Sequence, residues 1–99
     1  MIELLPATAN AEPCPPGLIV REAAPEDLVC VTPDSRRRAA ADNARAALLW
    51  VPGPFGPKTC AQGYVWREAF TGDFTCVTPD VRTETFHENR RNVRGEVKP

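Results

Sequence analysis

The sequence matches itself when it is shifted by 46 residues, and this internal repeat is the feature that most constrains the fold. Fourteen of the 34 aligned positions are identical without a gap, whereas unrelated segments of that length share roughly two. The shared pattern reads C-x-x-G-x-x-x-R-E-A-x-x-x-D-x-x-C-V-T-P-D-x-R. We call residues 14–50 unit 1 and residues 60–93 unit 2. A chain of this kind is expected to fold as two copies of one small motif.

The segments outside the repeat differ from it in composition. Residues 51–59 join the units and contain three prolines and two glycines, which predict a stiff extended connector without helix or regular strand. Residues 1–13 form an N-terminal tail and residues 94–99 a C-terminal tail. Leu, Ile, Val and Phe together number only 21 of the 99 residues, so the core must be small.

Each unit is predicted to be a β-hairpin followed by a helix. Short apolar segments on either side of a turn predict the strands, which we place at residues 18–22, 28–32, 64–68 and 74–78. The helices are predicted from Pro33 to Leu49 and from Pro79 to Asn92. The fold class is therefore α+β, with two tandem, disulfide-stapled β-hairpin–helix units.

Both helix starts carry the same three signals. A threonine that can cap the helix is followed by a proline suited to the first helical position and by an acid that suits the positive end of the helix dipole. These residues are Thr32-Pro-Asp34 and Thr78-Pro-Asp80. The apolar spacing predicts the packing faces of the two helices as well. They are Ala40, Ala44, Ala47 and Val51 for the first helix, and Phe86 and Val93 for the second.

The four cysteines occur as two copies of C-x15-C. Modularity favours the pairs Cys14–Cys30 and Cys60–Cys76, since each unit then carries its own staple. Crossed pairing between units is the main alternative. A zinc site is another, although structural zinc sites usually have cysteines two to four residues apart and His87 has no counterpart in unit 1. We expect no cofactor and no metal.

The cysteines also predict the compartment, because disulfides persist in oxidising surroundings. We therefore expect an extracytoplasmic protein, secreted or periplasmic. Residues 8–11 are similar to the small-residue end of a signal peptide, although the stretch before them has no apolar core. The net charge of −1 argues against a nucleic-acid partner. The longest apolar run is six residues, so we expect no transmembrane segment.

The residues resemble a tandem repeat module of bacterial secreted proteins. The resemblance rests on G-Y-V-W-R-E-A at residues 63–69, on Asp73 with C-V-T-P at residues 76–79, and on the Ala-rich helix that contains Asn43. It covers residues 14 to about 93, although unit 1 has Leu18 and Val20 where the pattern has Tyr and Trp. The resemblance implies secretion and modularity, and it implies no reaction.

Aromatic residues are concentrated between residues 50 and 74. Tyr64 and Trp66 alternate along a predicted strand and so share one face. The rings form either a core between the units or a surface that binds a partner. On the second hypothesis, the partner-binding residues are Phe55, Tyr64, Trp66 and Phe70.

Arg21, Glu22 and Asp27 recur in unit 2, and paired carboxylates of this kind are used by some enzymes for acid–base catalysis. An ion pair that fixes the turn explains them better, because an active site is rarely copied into adjacent units. Arg36-Arg-Arg38 is expected to be a solvated helix face, with an acidic wall polymer as an alternative partner.

We therefore expect a non-catalytic protein-interaction module, a subunit or adhesion element of a larger assembly. One alternative is a carbohydrate or cell-wall binding module that uses the aromatic strip. A second is a small secreted inhibitor or toxin, for which residues 52–57 are the candidate loop. The partner is expected to be another protein or an extracellular polymer, and self-association is a further alternative.

Overall fold

The structure is a computed structural model, and it describes residues 14–93. These residues form a small α+β fold with two helices, three two-stranded antiparallel sheets and two disulfides. The predicted tails at residues 1–13 and 94–99, including the signal-peptide-like segment, lie outside the described residues. Within residues 14–93, no helix is both long enough and apolar enough to cross a membrane.

Each predicted hairpin is present, with strands shorter than predicted. Strand β1 (Ile19–Val20) pairs with β2 (Cys30–Val31) in unit 1, and β5 (Val65–Trp66) pairs with β6 (Cys76–Val77) in unit 2. The strands end early because Glu22 and Glu68 have φ values of 53° and 58°. This left-handed conformation is incompatible with a continuing strand and is uncommon for a residue other than glycine.

Both helices begin where the sequence predicts. Helix α1 (Pro33–Arg45) is capped by Thr32, whose hydroxyl accepts a hydrogen bond from the Ser35 N–H, and it continues as a 3-10 helix (Ala46–Leu49). Helix α2 (Pro79–Val93) follows Thr78, whose carbonyl accepts from the Arg82 N–H. The Thr-Pro-Asp signal thus locates both helix starts.

The prediction that the connector has no regular strand is wrong. Strands β3 (Trp50–Gly53) and β4 (Gly56–Cys60) form a third hairpin, irregular between Val51 and Gly53. A two-stranded hairpin has two open edges, so prolines that cannot donate a ladder hydrogen bond are tolerated there and at irregular positions. The connector therefore adds an ordered element beside unit 2.

The cysteine prediction is confirmed. Disulfides join Cys14 to Cys30 and Cys60 to Cys76, with Cα atoms 5.6 Å apart in each pair. Crossed pairing and a four-cysteine zinc site are therefore both wrong. In the chain-entropy model, closing a loop of this length raises the free energy of unfolding by roughly 3 kcal/mol for each disulfide.

Among residues 14–93, the buried core contains as many polar side chains as apolar ones. Three alanines from both units, Ala23, Ala39 and Ala69, form its apolar cluster. Beside them lie two guanidinium groups, those of Arg21 and Arg67, each only 2% exposed. A buried charge is costly unless it is paired, so the partners of these two arginines organise the molecule.

Arg21 links unit 1 to unit 2. Its Nε and Nη2 donate to the Asp27 carboxylate at 2.7 and 3.2 Å, which fixes its own hairpin turn. Its Nη1 donates to Glu88 in helix α2 at 3.2 Å. The hydroxyl of Ser35 in α1 donates to the other oxygen of Glu88. The Glu88 carboxylate therefore lies buried between residues of both units.

Arg67 makes the reciprocal link. Its Nε and Nη2 donate to the Asp73 carboxylate at 2.7 and 3.2 Å. Its Nη2 also donates to the Asn43 Oδ1 at 2.8 Å, and its Nη1 donates to the Ala39 carbonyl at 3.4 Å, both in helix α1. Asp42, which occupies the position matching Glu88, is one methylene shorter. Each unit thus inserts an arginine from its hairpin turn against the helix of the other unit.

The electrostatics of Asp73 follow from this burial. Desolvation by itself raises the pKa of Asp73. Hydrogen bonds from Arg67 and from the N–H groups of Ala69 and Thr75 outweigh it, so the pKa lies below its ordinary value of 3.8. The carboxylate therefore remains ionised in the folded protein at neutral pH.

The predicted packing faces of the helices are wrong. Helix α1 buries Ser35, Ala39 and Asp42, whereas the four residues of its predicted apolar face are exposed. Helix α2 buries Thr85 and Glu88, whereas its predicted anchor Phe86 is 55% exposed. Nothing is described for the side chain of Val93. Part of this polarity serves the inserted arginines, because Glu88 accepts hydrogen bonds from Arg21 and from Ser35. Asp42 and Thr85 bond within their own helices, to Arg45 and to the Val81 carbonyl.

Candidate aromatic interaction surface

The aromatic side chains lie outside the polar core, where the connector hairpin packs on unit 2. Trp66 is the centre of this cluster and is partly buried. Its ring centroid lies 5.7 Å from that of Phe55 and 4.8 Å from that of Phe74. Separations of this kind are those of favourable aromatic pairs. The rings therefore form a satellite cluster at the surface.

Two indole N–H groups fix the connector hairpin on unit 2. Trp50 donates to the carbonyl of Phe74, and Trp66 donates to the carbonyl of Lys58, both at 2.8 Å. The Nζ of Lys58 lies 4.8 Å from the ring centroid of Trp50 and 5.7 Å from that of Phe74. These distances are within the range of a cation–π contact. The cluster therefore already accommodates one cation.

Phe55 lies at the tip of the connector hairpin and is 72% exposed. Its position is defined by Thr59, whose hydroxyl accepts from the Phe55 N–H at 3.0 Å and donates to the Gly56 carbonyl at 2.8 Å. Gly53 completes this arrangement, because a Cβ there would lie 2.8 Å from the Thr59 methyl. The most exposed ring is thus presented by an ordered turn.

Two grooves beside Trp66 contain the candidate rings. The first, which we call the hairpin groove, has a volume of about 240 Å³ and lies between Phe55, Tyr64, Trp66 and Arg82. The second, which we call the turn groove, has a volume of about 440 Å³. Its walls include the side chains of Trp66, Phe70 and Phe74, with Glu68 and Asn89 as polar members.

Unit 1 has no comparable ring surface. The positions that match Trp66, Phe70 and Phe74 are occupied by Val20, Ala24 and Leu28. Both units nevertheless keep the same glycine, arginine, turn acid and cysteines. The fold of the hairpin therefore does not depend on the rings, and unit 2 carries them in addition.

All four predicted partner-binding residues lie in this region. Phe55, Tyr64 and Trp66 line the hairpin groove, while Phe70, which is 38% exposed, faces the turn groove with Trp66. None of them is fully buried. The structure adds Phe74, Lys58 and Glu68. Phe74 belongs to the aromatic concentration between residues 50 and 74, whereas no local signal in the sequence indicates Lys58 or Glu68.

The other candidate residues have structural partners. Arg21–Asp27 and Arg67–Asp73 are buried ion pairs that fix the hairpin turns, as the ion-pair interpretation predicts. Of the three consecutive arginines, Arg36 pairs with Glu22 at 2.5 Å and Arg37 with Asp34. Arg38 lies 3.6 Å from Glu84. The described part of the chain holds no group of three His, Cys, Asp or Glu side chains that could bind a metal ion.

Comparisons of the chain with protein-family profiles, with curated proteins and with solved structures found no match.

Proposed function

We propose that the chain is a non-catalytic protein-interaction module whose partner-binding surface is the aromatic cluster of unit 2. It consists of two tandem units that evolved by duplication and pair through reciprocal arginines. The observation that carries this proposal is the exposure of Phe55, Phe70 and Phe74 around a partly buried Trp66. Rings of this kind are enriched at protein interfaces.

The location of the cluster supports a binding role over a purely structural one. The core of the two units consists of small residues and buried ion pairs, to which the rings contribute nothing. Unit 1 has the same hairpin without rings, which indicates that Phe70 and Phe74 are not required for the hairpin to form, whereas the indoles of Trp50 and Trp66 hold the connector hairpin. Exposed apolar area without a folding role is typical of an interaction site.

The geometry favours a protein partner over a carbohydrate. Stacking on sugars needs ring faces that lie open side by side, whereas Trp66 is inclined by 60° to Phe55 and by 58° to Phe74. Grooves between inclined rings suit inserted side chains better. Carbohydrate binding is the alternative, and a glycan array measures it directly.

An extracytoplasmic location is part of the proposal. Two disulfides in so small a fold are typical of proteins in oxidising compartments, because the small core benefits from covalent staples. The inhibitor hypothesis retains support from the ordered tip that presents Phe55.

The test compares the wild-type protein with a Phe55→Ser/Phe70→Ser variant as bait in the secreted fraction of the source cells. Both side chains are exposed, so the fold should be retained. The matched control is Leu48→Ser, which removes an 80% exposed apolar side chain away from the rings. We expect a protein that binds the wild type and the control but not the double variant. Equal capture by all three baits would contradict the proposal.

A further inference from the structure

We propose that the turn groove binds a basic side chain, an arginine or lysine, of the partner protein. This inference rests on the proposed function and adds the chemistry of the partner. The groove is about 440 Å³, within the usual range of roughly 300–1,000 Å³ for ligand sites. A cationic side chain together with its neighbours in an extended segment fits this space.

The charge of the groove favours a cation. Its charged lining residues, among those that the structure describes, are Glu68 and Asp73, and none is basic. The Asp73 carboxylate is buried and engaged by Arg67. Glu68 lies at the rim with a side chain that is 61% exposed. One carboxylate is therefore available to a ligand.

The two units differ in how they engage this glutamate. In unit 1, the matching Glu22 forms a direct ion pair with Arg36, with the charged atoms 2.5 Å apart. In unit 2, the matching contact between Glu68 and Arg82 is 3.8 Å, at the limit for an ion pair. The Glu68 carboxylate is therefore held less closely by its own arginine than Glu22 is, and it is more available to an incoming cation.

The rings provide the second element of recognition. The face of an aromatic ring carries negative potential and attracts cations within about 6 Å of its centroid. Phe74, one wall of the groove, already has Lys58 at 5.7 Å. Val20, Ala24 and Leu28 replace the three rings in unit 1, so the ring-lined wall belongs to unit 2.

The test titrates the full chain with the peptide acetyl-Gly-Arg-Gly-Arg-Gly-amide and follows backbone amide chemical shifts. The matched peptide has citrulline, which is neutral and nearly isosteric, in place of arginine. We expect shifts at Phe70–Asp73 with the arginine peptide, and affinity at least tenfold weaker for the citrulline peptide. Equal binding of the two peptides, or shifts confined to other surfaces, would overturn the inference.

Variants identify the groups responsible. Phe70→Ala and Phe74→Leu install the unit 1 residues and should each weaken binding about three- to tenfold, as should Glu68→Gln. The matched unit 1 variants Leu28→Ala and Glu22→Gln should leave binding unchanged. A loss as large for Glu22→Gln as for Glu68→Gln would refute the assignment. Melting temperatures confirm that each variant is folded.

The outcome is separable from that of the proposed function. If the arginine peptide does not bind but partner capture still requires Phe55 and Phe70, the surface is an interface and the basic-ligand inference is wrong. If neither is observed, both fail. Concentration-dependent association of the free chain that Glu68→Gln abolishes would identify an arginine of a second copy as the ligand and support the inference.

Discussion

Replacing Arg67 by methionine tests one of the two buried arginines that link the units. The guanidinium is 2% exposed and donates to Asp73, Asn43, Thr75 and the Ala39 carbonyl. Methionine keeps much of the volume and removes every one of these bonds.

The magnitude follows from what remains behind. Removing one partner of a buried ion pair costs about 3–5 kcal/mol. Asp73 keeps the hydrogen bonds from the N–H groups of Ala69 and Thr75, so we expect the lower end, about 3 kcal/mol. This is a large part of the roughly 5–15 kcal/mol that stabilises a typical domain.

The assay is urea unfolding of the oxidised protein, followed by circular dichroism. The double variant Arg67→Met/Asp73→Asn should recover part of the loss, with a coupling of about 1–3 kcal/mol for groups in direct contact. The control Arg82→Met removes an exposed arginine and should change stability by less than about 0.5 kcal/mol. A cost below about 1 kcal/mol for Arg67→Met, or strict additivity in the double variant, would refute this account of the core.

Three further predictions concern smaller features. The pKa of Asp73 is lowered on folding from its ordinary value of 3.8, so its contribution to the free energy of unfolding is fully present above that value and is lost as the pH falls below it. Asp73→Asn should therefore reduce the fall in the urea midpoint that the wild type shows between about pH 5 and 2. Thr32→Ala should cost about 1 kcal/mol in thermal unfolding, whereas Thr32→Ser should be nearly neutral. Glu22→Gly should raise stability by about 0.5 kcal/mol, since relief of the left-handed conformation exceeds the added chain entropy; a loss of stability would show that the ion pair with Arg36 matters more.

Local rules sufficed for the parts of the fold that depend on local interactions. Thr32 and Pro33 locate a helix start because capping is decided within one turn. The pairing of Cys60 with Cys76 follows because the staple closes within one unit. Trp66 and Phe70 were identified as surface candidates from their clustering and from the contrast with unit 1.

The parts that were missed depend on distant contacts. Asp42 faces inward in helix α1, and Glu88 does so in helix α2 because Arg21 arrives from the other unit, which no hydropathy pattern within a helix records. The connector hairpin is held on unit 2 by the hydrogen bond from the Trp50 indole to the Phe74 carbonyl, 24 residues away. Glu68 could be assigned to a groove only after the ring walls were placed.

The mixed composition of the core also determines how stability varies with temperature. Exposure of apolar surface on unfolding raises the heat capacity, whereas exposure of polar surface lowers it. This core buries two arginines, Asp73 and Glu88 alongside alanines and valines. The heat-capacity change should therefore fall below the usual value of about 12–15 cal/mol/K per residue. The stability curve is then broad and shallow, so the folded state persists over a wide temperature range and resists cold denaturation.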